Sequence, residues 1–203
     1  MSDKKPPSLG KAYANRKRLA DRPPGDLYPT PRSLIWVAKD IIHAEFDQGK
    51  TVLEPCSGQG AISSELRQLG YQVVENDLFF GGVDYLTHSF DCPYIITNPP
   101  FSKWNPFVKK AKQEAEKVMM IGRLNYFGTT SRLTDGIWDG LKSVYCFDRY
   151  VDYRTPERSD GLFKCGAMAT AWFLWEDGFV GDPSLHFLSV QKYTKLNAAC
   201  KVS

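Results

Sequence analysis

The residues of this chain best suited to chemistry form a short turn, Asn98-Pro99-Pro100-Phe101, directly after the apolar segment Tyr94-Ile95-Ile96-Thr97. Two consecutive prolines fix two φ angles and lack amide donors, so the turn is predicted to be rigid and to present acceptor groups. The side-chain oxygen of Asn98 and the carbonyl oxygen of Pro99 could converge on an amino group, and Phe101 offers a flat face for a planar group. The alternative interpretation is a rigid turn with a buried phenylalanine.

A second group of candidate residues surrounds the turn Ser57-Gly58-Gln59-Gly60, which follows the apolar segment Thr51-Val52-Leu53. Glycines in such a turn let a ligand approach the backbone, and an acid about 20 residues later can bind a ribose. Asp77 lies nineteen residues after Gly58. Position 63 is serine where a dinucleotide fingerprint has glycine, and Glu54 would repel a pyrophosphate, which argues against NAD or FAD. A carboxylate there suits a ligand with a positive charge; the alternative is a tight strand-to-helix turn.

The elements that must position these turns alternate between strands and helices. Strands are predicted at Thr51–Leu53, Gln72–Glu75, Tyr94–Thr97, Val118–Ile121, Ser143–Phe147 and Ala169–Trp175, with helices from Ala61 to Leu69 and from Asn105-Pro106 onward. This order predicts an α/β fold with a doubly wound, mostly parallel sheet. The last two strands have no obvious helix between them, so we expect them to pair antiparallel.

A further helix is predicted after Tyr28-Pro29-Thr30-Pro31, with Thr30 as its N-cap and Pro31 at its first position. Apolar residues recur at helical spacing from Leu34 to Phe46, and Gly49 can end the helix. We expect one continuous helix of about four turns.

Composition limits the classes of protein to which the chain can belong. Its 203 residues are 42% hydrophobic and carry a net charge of +3, which predicts a single domain over residues 26–203. Residues 1–25 hold seven basic and two acidic side chains, a net +5 that leaves −2 for the rest. Such a tail is either solvated or lies along phosphates.

Five widely spaced cysteines and three histidines predict neither a disulfide framework nor a metal site. The lack of a transmembrane or secretory segment predicts a cytoplasmic protein.

Taken together, these motifs resemble those of class I S-adenosylmethionine-dependent methyltransferases that methylate amino groups, most of all small DNA adenine methyltransferases of phages and mobile elements. The resemblance covers roughly residues 26 to 190 and implies a Rossmann-like sheet of seven strands with an antiparallel C-terminal hairpin. It implies catalytic roles for Asn98, Pro99, Pro100 and Phe101, and S-adenosylmethionine binding by Tyr28, Thr30, Glu54, Pro55, Cys56, Gly58, Gly60, Asp77 and Asp84.

The implied reaction is methyl transfer to adenine N6, with DNA favoured over RNA and the target base flipped into the pocket. The resemblance also implies that the protein acts in a bacterial or phage-infected cell. Guanine N2 in RNA and protein glutamine remain alternative targets, because the same tetrapeptide occurs in enzymes that act on them. A module that binds the cofactor or nucleic acid without turnover is a further alternative. The chain lacks a large target-recognition domain, so recognition would depend on the tail and on residues 123–165. Arg123, Arg132, Arg154 and Arg158 are the candidate nucleic-acid contacts there.

Overall fold

The computed structural model describes residues 28–153, 166 and 168–190. Its strands are β1 (Thr51–Glu54), β2 (Gln72–Glu75), β3 (Tyr94–Thr97), β4 (Lys117–Arg123), β5 (Leu141–Phe147), β6 (Thr170–Glu176) and β7 (Ser184–Leu188). Its α-helices in those ranges are α1 (Arg32–Trp36), α2 (Lys39–Glu45), α3 (Ala61–Gln68), α4 (Trp104–Glu114) and α5 (Thr130–Thr134). Short 3-10 helices cover Leu78–Phe80, Phe101–Lys103 and Leu124–Gly128.

The strands form one mixed sheet in the order β2-β1-β3-β4-β6-β5-β7. The first four strands are parallel to one another, and β6 runs antiparallel to both β4 and β5. The predicted α/β fold with an antiparallel C-terminal pair is therefore confirmed. The edge strand β7, parallel to β5, lies in a segment for which the sequence analysis predicts no strand.

Helices cover both faces of the sheet, and alternate strand residues point to each face. One cluster of buried side chains joins Val52, Ile96, Met119 and Trp172 to apolar residues of α1, α2 and α3. The other joins Leu53, Ile95, Val118 and Phe173 to α4. Helices α3 and α4 connect β1 to β2 and β3 to β4, so the carboxyl ends of these parallel strands meet at one edge of the sheet.

The predicted helix after Tyr28 is wrong in its start and in its continuity. Pro31 is itself the N-cap residue of α1 with extended backbone angles, and no side chain caps the helix. The amide of Ala38 donates to the carbonyl of Ile35, 3.0 Å away, a tighter bond of the 3-10 type that separates α1 from α2. Thr30 does not cap the helix; its hydroxyl instead accepts a hydrogen bond from the side chain of Asn98, in the turn after β3.

None of the helices in residues 28–153 and 168–190 is both long and apolar enough to cross a membrane. Within the same ranges, no three His, Cys, Asp or Glu side chains are grouped as a metal site would require.

Candidate active site

A cavity of about 410 Å³ lies at the edge where the parallel strands end. Residues 28–30, the turn after β1, the loop after β2 and the turn after β3 all contribute to its wall. The residues expected to bind a ligand that line it are Tyr28, Thr30, Glu54, Pro55, Cys56, Gly58, Asp77, Asp84, Asn98 and Pro100. The structure thus brings together side chains from four separate segments of the sequence.

The glycine turn after β1 depends on left-handed backbone at two positions. Gly58 has a φ of 53° and Gly60 a φ of 75°, a region that residues with a Cβ adopt only at a cost. Gly60 is the N-cap residue of α3 and lies behind the cavity wall rather than in it. The amides of Ser57, Gly58 and Gly60 are all used within the protein, by the Asn76 carbonyl, the Asp77 carboxylate and the Ser57 carbonyl.

Asp77 ties the glycine turn to the loop that follows β2. Its Oδ2 atom accepts a hydrogen bond from the Gly58 amide and its Oδ1 atom from the Phe79 amide, both at 2.8 Å. Asn76 closes the base of the same loop, since its carboxamide both donates to and accepts from the backbone of Val83 at 2.9 Å. A carboxylate has about four acceptor positions, so Asp77 keeps two for a ligand.

Asp84 also lines the cavity, at the far end of this loop. Its Oδ1 atom accepts from the Leu86 amide at 3.0 Å, and its carbonyl accepts from the Thr87 and His88 amides. These bonds fix the carboxylate at the start of a turn.

Glu54 is the last residue of β1 and is buried, with 1% of its surface exposed. The hydroxyl of Ser63, one turn into α3, donates to its carboxylate. Burial raises the pKa of Glu54 to about 8, against the lowering effect of the Ser63 hydrogen bonds. At neutral pH the carboxyl is therefore mostly protonated, and a positive charge in the cavity would favour its ionised form. Burial likewise raises the pKa of the neighbouring Cys56 thiol.

The Asn98 carboxamide is held at one end only. Its Nδ2 atom donates to the hydroxyl of Thr30 at 3.0 Å. Its Oδ1 atom is buried and has no hydrogen-bond partner in the part of the chain that the structure describes. A buried acceptor without a donor is costly, so this oxygen is suited to a donor group that enters the site.

The rest of the tetrapeptide is more enclosed than Asn98. Pro99 is buried, and neither it nor Phe101 belongs to the cavity wall, whereas Pro100 does. The Phe101 ring is 8% exposed and lies 6.3 Å from the stacked ring of Tyr28 and 5.7 Å from the edge-on ring of Tyr153. Tyr28, which does line the cavity, therefore covers Phe101 on the cavity side.

The candidate arginines occupy different environments. Arg123 ends β4 with its guanidinium carbon 4.7 Å from the centre of the Phe101 ring. Arg132 belongs to α5 and donates to the side chains of Asn105 and Thr129 at 2.8 Å, so it joins α5 to α4. Arg154 and Arg158 lie outside the described residues, as do the tail 1–25 and the end of the 123–165 region.

Several residues of the cavity wall were not predicted from the sequence. Leu78 and Phe79 follow Asp77, while Tyr85, Ser102, Lys103 and Phe107 complete the wall beside the tetrapeptide. Ser63, whose hydroxyl donates to Glu54, carries no local signal of that role in the sequence. The run Leu78-Phe79-Phe80 was a usable signal, because three large apolar residues after a buried acid are unusual in a solvated loop, and each is about half exposed.

No protein-family model and no curated protein matches the sequence, but solved structures do. A protein from Pyrococcus horikoshii proposed to be an RNA methyltransferase superposes with a TM-score of 0.53 at 18% identity, over 75% of this chain and 87% of that one. A proposed class I S-adenosylmethionine-dependent methyltransferase from Listeria monocytogenes gives 0.54 at 12% identity, over 88% and 71%. The methyltransferase subunit of a type I restriction-modification system from Streptococcus thermophilus gives 0.57 at 10% identity, over 87% of this chain and 53% of that subunit.

The chain has the class I methyltransferase fold. In this methyltransferase fold the cavity lies at the carboxyl ends of β1, β2 and β3, the position at which open α/β sheets bind ligands. The match to only about half of the Streptococcus subunit leaves the other half of that protein without a counterpart in this comparison.

Proposed function

We propose that this protein transfers a methyl group from S-adenosylmethionine to an exocyclic amino nitrogen, namely N6 of adenine in DNA. The observation that carries the proposal is the Asn98 carboxamide, hydrogen-bonded to Thr30 and with a buried oxygen that has no donor among the described residues. An oxygen in this state at the end of a central strand is suited to hold an amine.

The cavity suits S-adenosylmethionine in size and in the type of its polar groups. About 410 Å³ is within the usual range of ligand pockets. Glu54 would hold a positively charged group, the backbone of Gly58 would approach the ligand closely, and Asp77 and Asp84 would accept from hydroxyl or amino donors. When bound, S-adenosylmethionine supplies the methyl group from its positively charged sulfonium.

The chain's own residues would activate the target amine. The lone pair of an exocyclic amine is delocalised into the ring, which makes the nitrogen a poor nucleophile. Oδ1 of Asn98 and the carbonyl oxygen of Pro99 would hold its two protons, which favours a pyramidal nitrogen and restores the lone pair. Thr30 accepts from Nδ2 and so leaves the carboxamide oxygen available to the amine.

An aromatic surface beside Asn98 would support the base. We place the target against Tyr28, which lines the cavity, with the Phe101 ring stacked behind it. Phe101 would then support the base indirectly, by packing behind Tyr28. A movement of Tyr28 that uncovers the Phe101 ring would let Phe101 contact the base directly. In duplex DNA the base must leave the stack to reach this position.

The choice of DNA rests on the motif resemblance and on the basic tail, because shared fold alone does not identify a substrate. The Streptococcus relative belongs to a restriction-modification system, and a type IIG restriction endonuclease, BpuSI, superposes with a TM-score of 0.58 at 14% identity over 87% of this chain and 29% of that one. The Pyrococcus protein is instead proposed to act on RNA.

The test is transfer of a radiolabelled methyl group from S-adenosylmethionine to DNA, RNA and protein fractions, followed by nucleoside analysis. We expect label in DNA, recovered as N6-methyladenine. Label in N2-methylguanine of RNA or in protein glutamine would overturn the DNA assignment, and no label in any fraction would overturn methyl transfer.

A further inference from the structure

Among the described residues, Arg123 has no side-chain hydrogen bond and no ion pair, and it lies beside the proposed target site. It ends β4, its side chain is partly buried, and its guanidinium lies over the ring of Phe101, in the same tetrapeptide as Asn98. Its Nε atom is buried with no hydrogen-bond partner, and no carboxylate in the described ranges forms an ion pair with it. Its described contacts are with aromatic rings: it faces Phe101, and its charge lowers the pKa of the buried Tyr153 phenol, a smaller effect than the rise caused by burial.

Three other arginines in the described ranges bond to protein groups. Arg67 pairs with Glu75 at 2.7 Å, Arg32 with Glu65 at 3.5 Å, and Arg132 donates to Asn105. A partly buried guanidinium that lacks such a partner pays a desolvation cost that only a cation-π contact offsets. Because the described residues give Arg123 no such partner, its guanidinium is available to an anionic ligand.

We propose that Arg123 binds a backbone phosphate of a polynucleotide next to the target nucleotide, and so selects a polynucleotide over a peptide. This inference rests on the proposed function, since it assumes that the target amine reaches Asn98. The planar guanidinium, 4.7 Å from the centre of the Phe101 ring, presents paired N–H donors that match two phosphate oxygens. A glutamine side chain in a peptide brings no such anion.

The same contact would make Arg123 a positioning residue. Phe101 lies three residues after Asn98, and Tyr126, in the 3-10 helix that follows Arg123, donates to the Phe101 carbonyl at 3.2 Å. A phosphate bound at Arg123 is therefore anchored to the same loop that holds the amine, and the base between them has a fixed approach.

The experiment compares Arg123→Met with Arg67→Gln in the full-length protein. Methionine keeps an apolar chain against Phe101 and removes the charge, while Arg67→Gln removes one exposed charge far from the tetrapeptide. Binding to a fluorescent oligonucleotide duplex is measured by anisotropy at several salt concentrations, and thermal unfolding is measured without ligand.

For Arg123→Met we expect about tenfold weaker binding, a slope of log K against log salt that is smaller by about one, and an unfolding temperature that is unchanged or higher. Arg67→Gln should keep the wild-type slope. A duplex with one neutral methylphosphonate beside the target base should weaken wild-type binding to the level of Arg123→Met and leave that variant unaffected.

Three results would overturn the inference: an unchanged salt slope in Arg123→Met, a lower unfolding temperature with unchanged binding, or peptide methylation by the wild type that this variant retains. The two proposals fail separately. A protein that methylates DNA with an Arg123-independent slope contradicts only the phosphate contact. A protein that binds DNA through Arg123 but transfers no methyl group contradicts only the proposed function.

Discussion

At Asn98 the two ends of one carboxamide differ in their surroundings, and this difference gives the residue its proposed role. The Nδ2 end is satisfied by Thr30, 68 positions earlier in the chain, while the Oδ1 end is buried without a donor among the described residues. The Thr30 contact holds the carboxamide in place between two distant segments of the chain before any substrate arrives.

Replacing Asn98 by alanine should therefore reduce methyl transfer by about 100-fold or more, the usual effect of losing one aligned hydrogen-bond partner in a desolvated site. Affinity for S-adenosylmethionine should stay near wild type, because Asn98 is assigned to the amine. Single-turnover transfer rates and calorimetry measure the two effects. Asn125→Ala, the same change at an exposed position, is the control. Near-normal turnover in Asn98→Ala would contradict the mechanism.

Glu54 is the second residue whose state depends on its surroundings. Its pKa of about 8 lies above that of a glutamate in the unfolded chain, so the folded protein binds the proton more tightly. The contribution of Glu54 to the free energy of unfolding is fully present below pH 4.5, the pKa in the unfolded chain, and is lost as the pH rises to about 8, the pKa in the folded protein. The loss amounts to about 1.4 kcal/mol for each unit of difference between the two pKa values.

The Glu54→Gln variant should remove that pH dependence, because glutamine is neutral and can still accept from Ser63. Denaturant unfolding between pH 5 and pH 9 should show a smaller fall in the free energy of unfolding for the variant than for the wild type. The exposed Glu116→Gln variant should follow the wild type. Parallel curves for Glu54→Gln and wild type would show that Glu54 is already ionised in the folded protein.

At the scale of elements, Asp77 couples two loops. It accepts from an amide of the β1 turn and from an amide of the β2 loop, so the two walls of the cavity are set relative to each other by one carboxylate. The proposed ribose contact and this internal role share the same side chain.

Asp77→Ala should lose both bonds at once. We expect a destabilisation of about 1–3 kcal/mol for each amide left without a partner, and at least tenfold weaker binding of S-adenosylmethionine well below the unfolding temperature. Calorimetry and thermal unfolding separate the two effects, with the exposed Asp91→Ala as control. Equal affinity of Asp77→Ala and wild type for S-adenosylmethionine would remove Asp77 from the ligand site.

Elements with a strong local signal were predictable from the sequence. Apolar runs ended by Glu54 and Asn98 marked two central strands, and glycines marked the boundaries of α3. The predicted start of the helix after Pro31 was wrong because the preference of threonine for an N-cap position competed with a tertiary bond to Asn98 that no local pattern reveals. Its predicted continuity was wrong because Ala38 bonds the carbonyl three residues back, which the spacing of apolar residues does not record. Strand β7 was not predicted because Leu185 and Phe187 are exposed, which leaves no burial pattern to detect. The Thr30 contact and the missing partner of Arg123 depend on pairs distant in sequence, so only the fold shows them.

At the scale of the whole molecule, charge is divided unevenly. Residues 1–25 carry +5 and the remaining residues −2, so long-range attraction to a polyanion would depend on the tail. The body would contribute local contacts such as the one proposed for Arg123. The two contributions differ in the size of their salt dependence, because each phosphate contact adds about one to the slope.

Deleting residues 1–25 should weaken binding to every DNA sequence by a similar factor and lower the slope of log K against log salt by a few units at most, compared with about one for Arg123→Met. Affinity for S-adenosylmethionine should not change, since the residues proposed to bind it begin at Tyr28. Anisotropy titrations on two unrelated duplexes at several salt concentrations measure both effects.

A protein with residues 2–25 in shuffled order is the matched control and should bind like the wild type, because counterion release depends on charge and not on sequence. Unchanged affinity and slope after the deletion would show that the tail does not contact DNA, and binding would then rest on the body of the protein, whose remaining charge is negative.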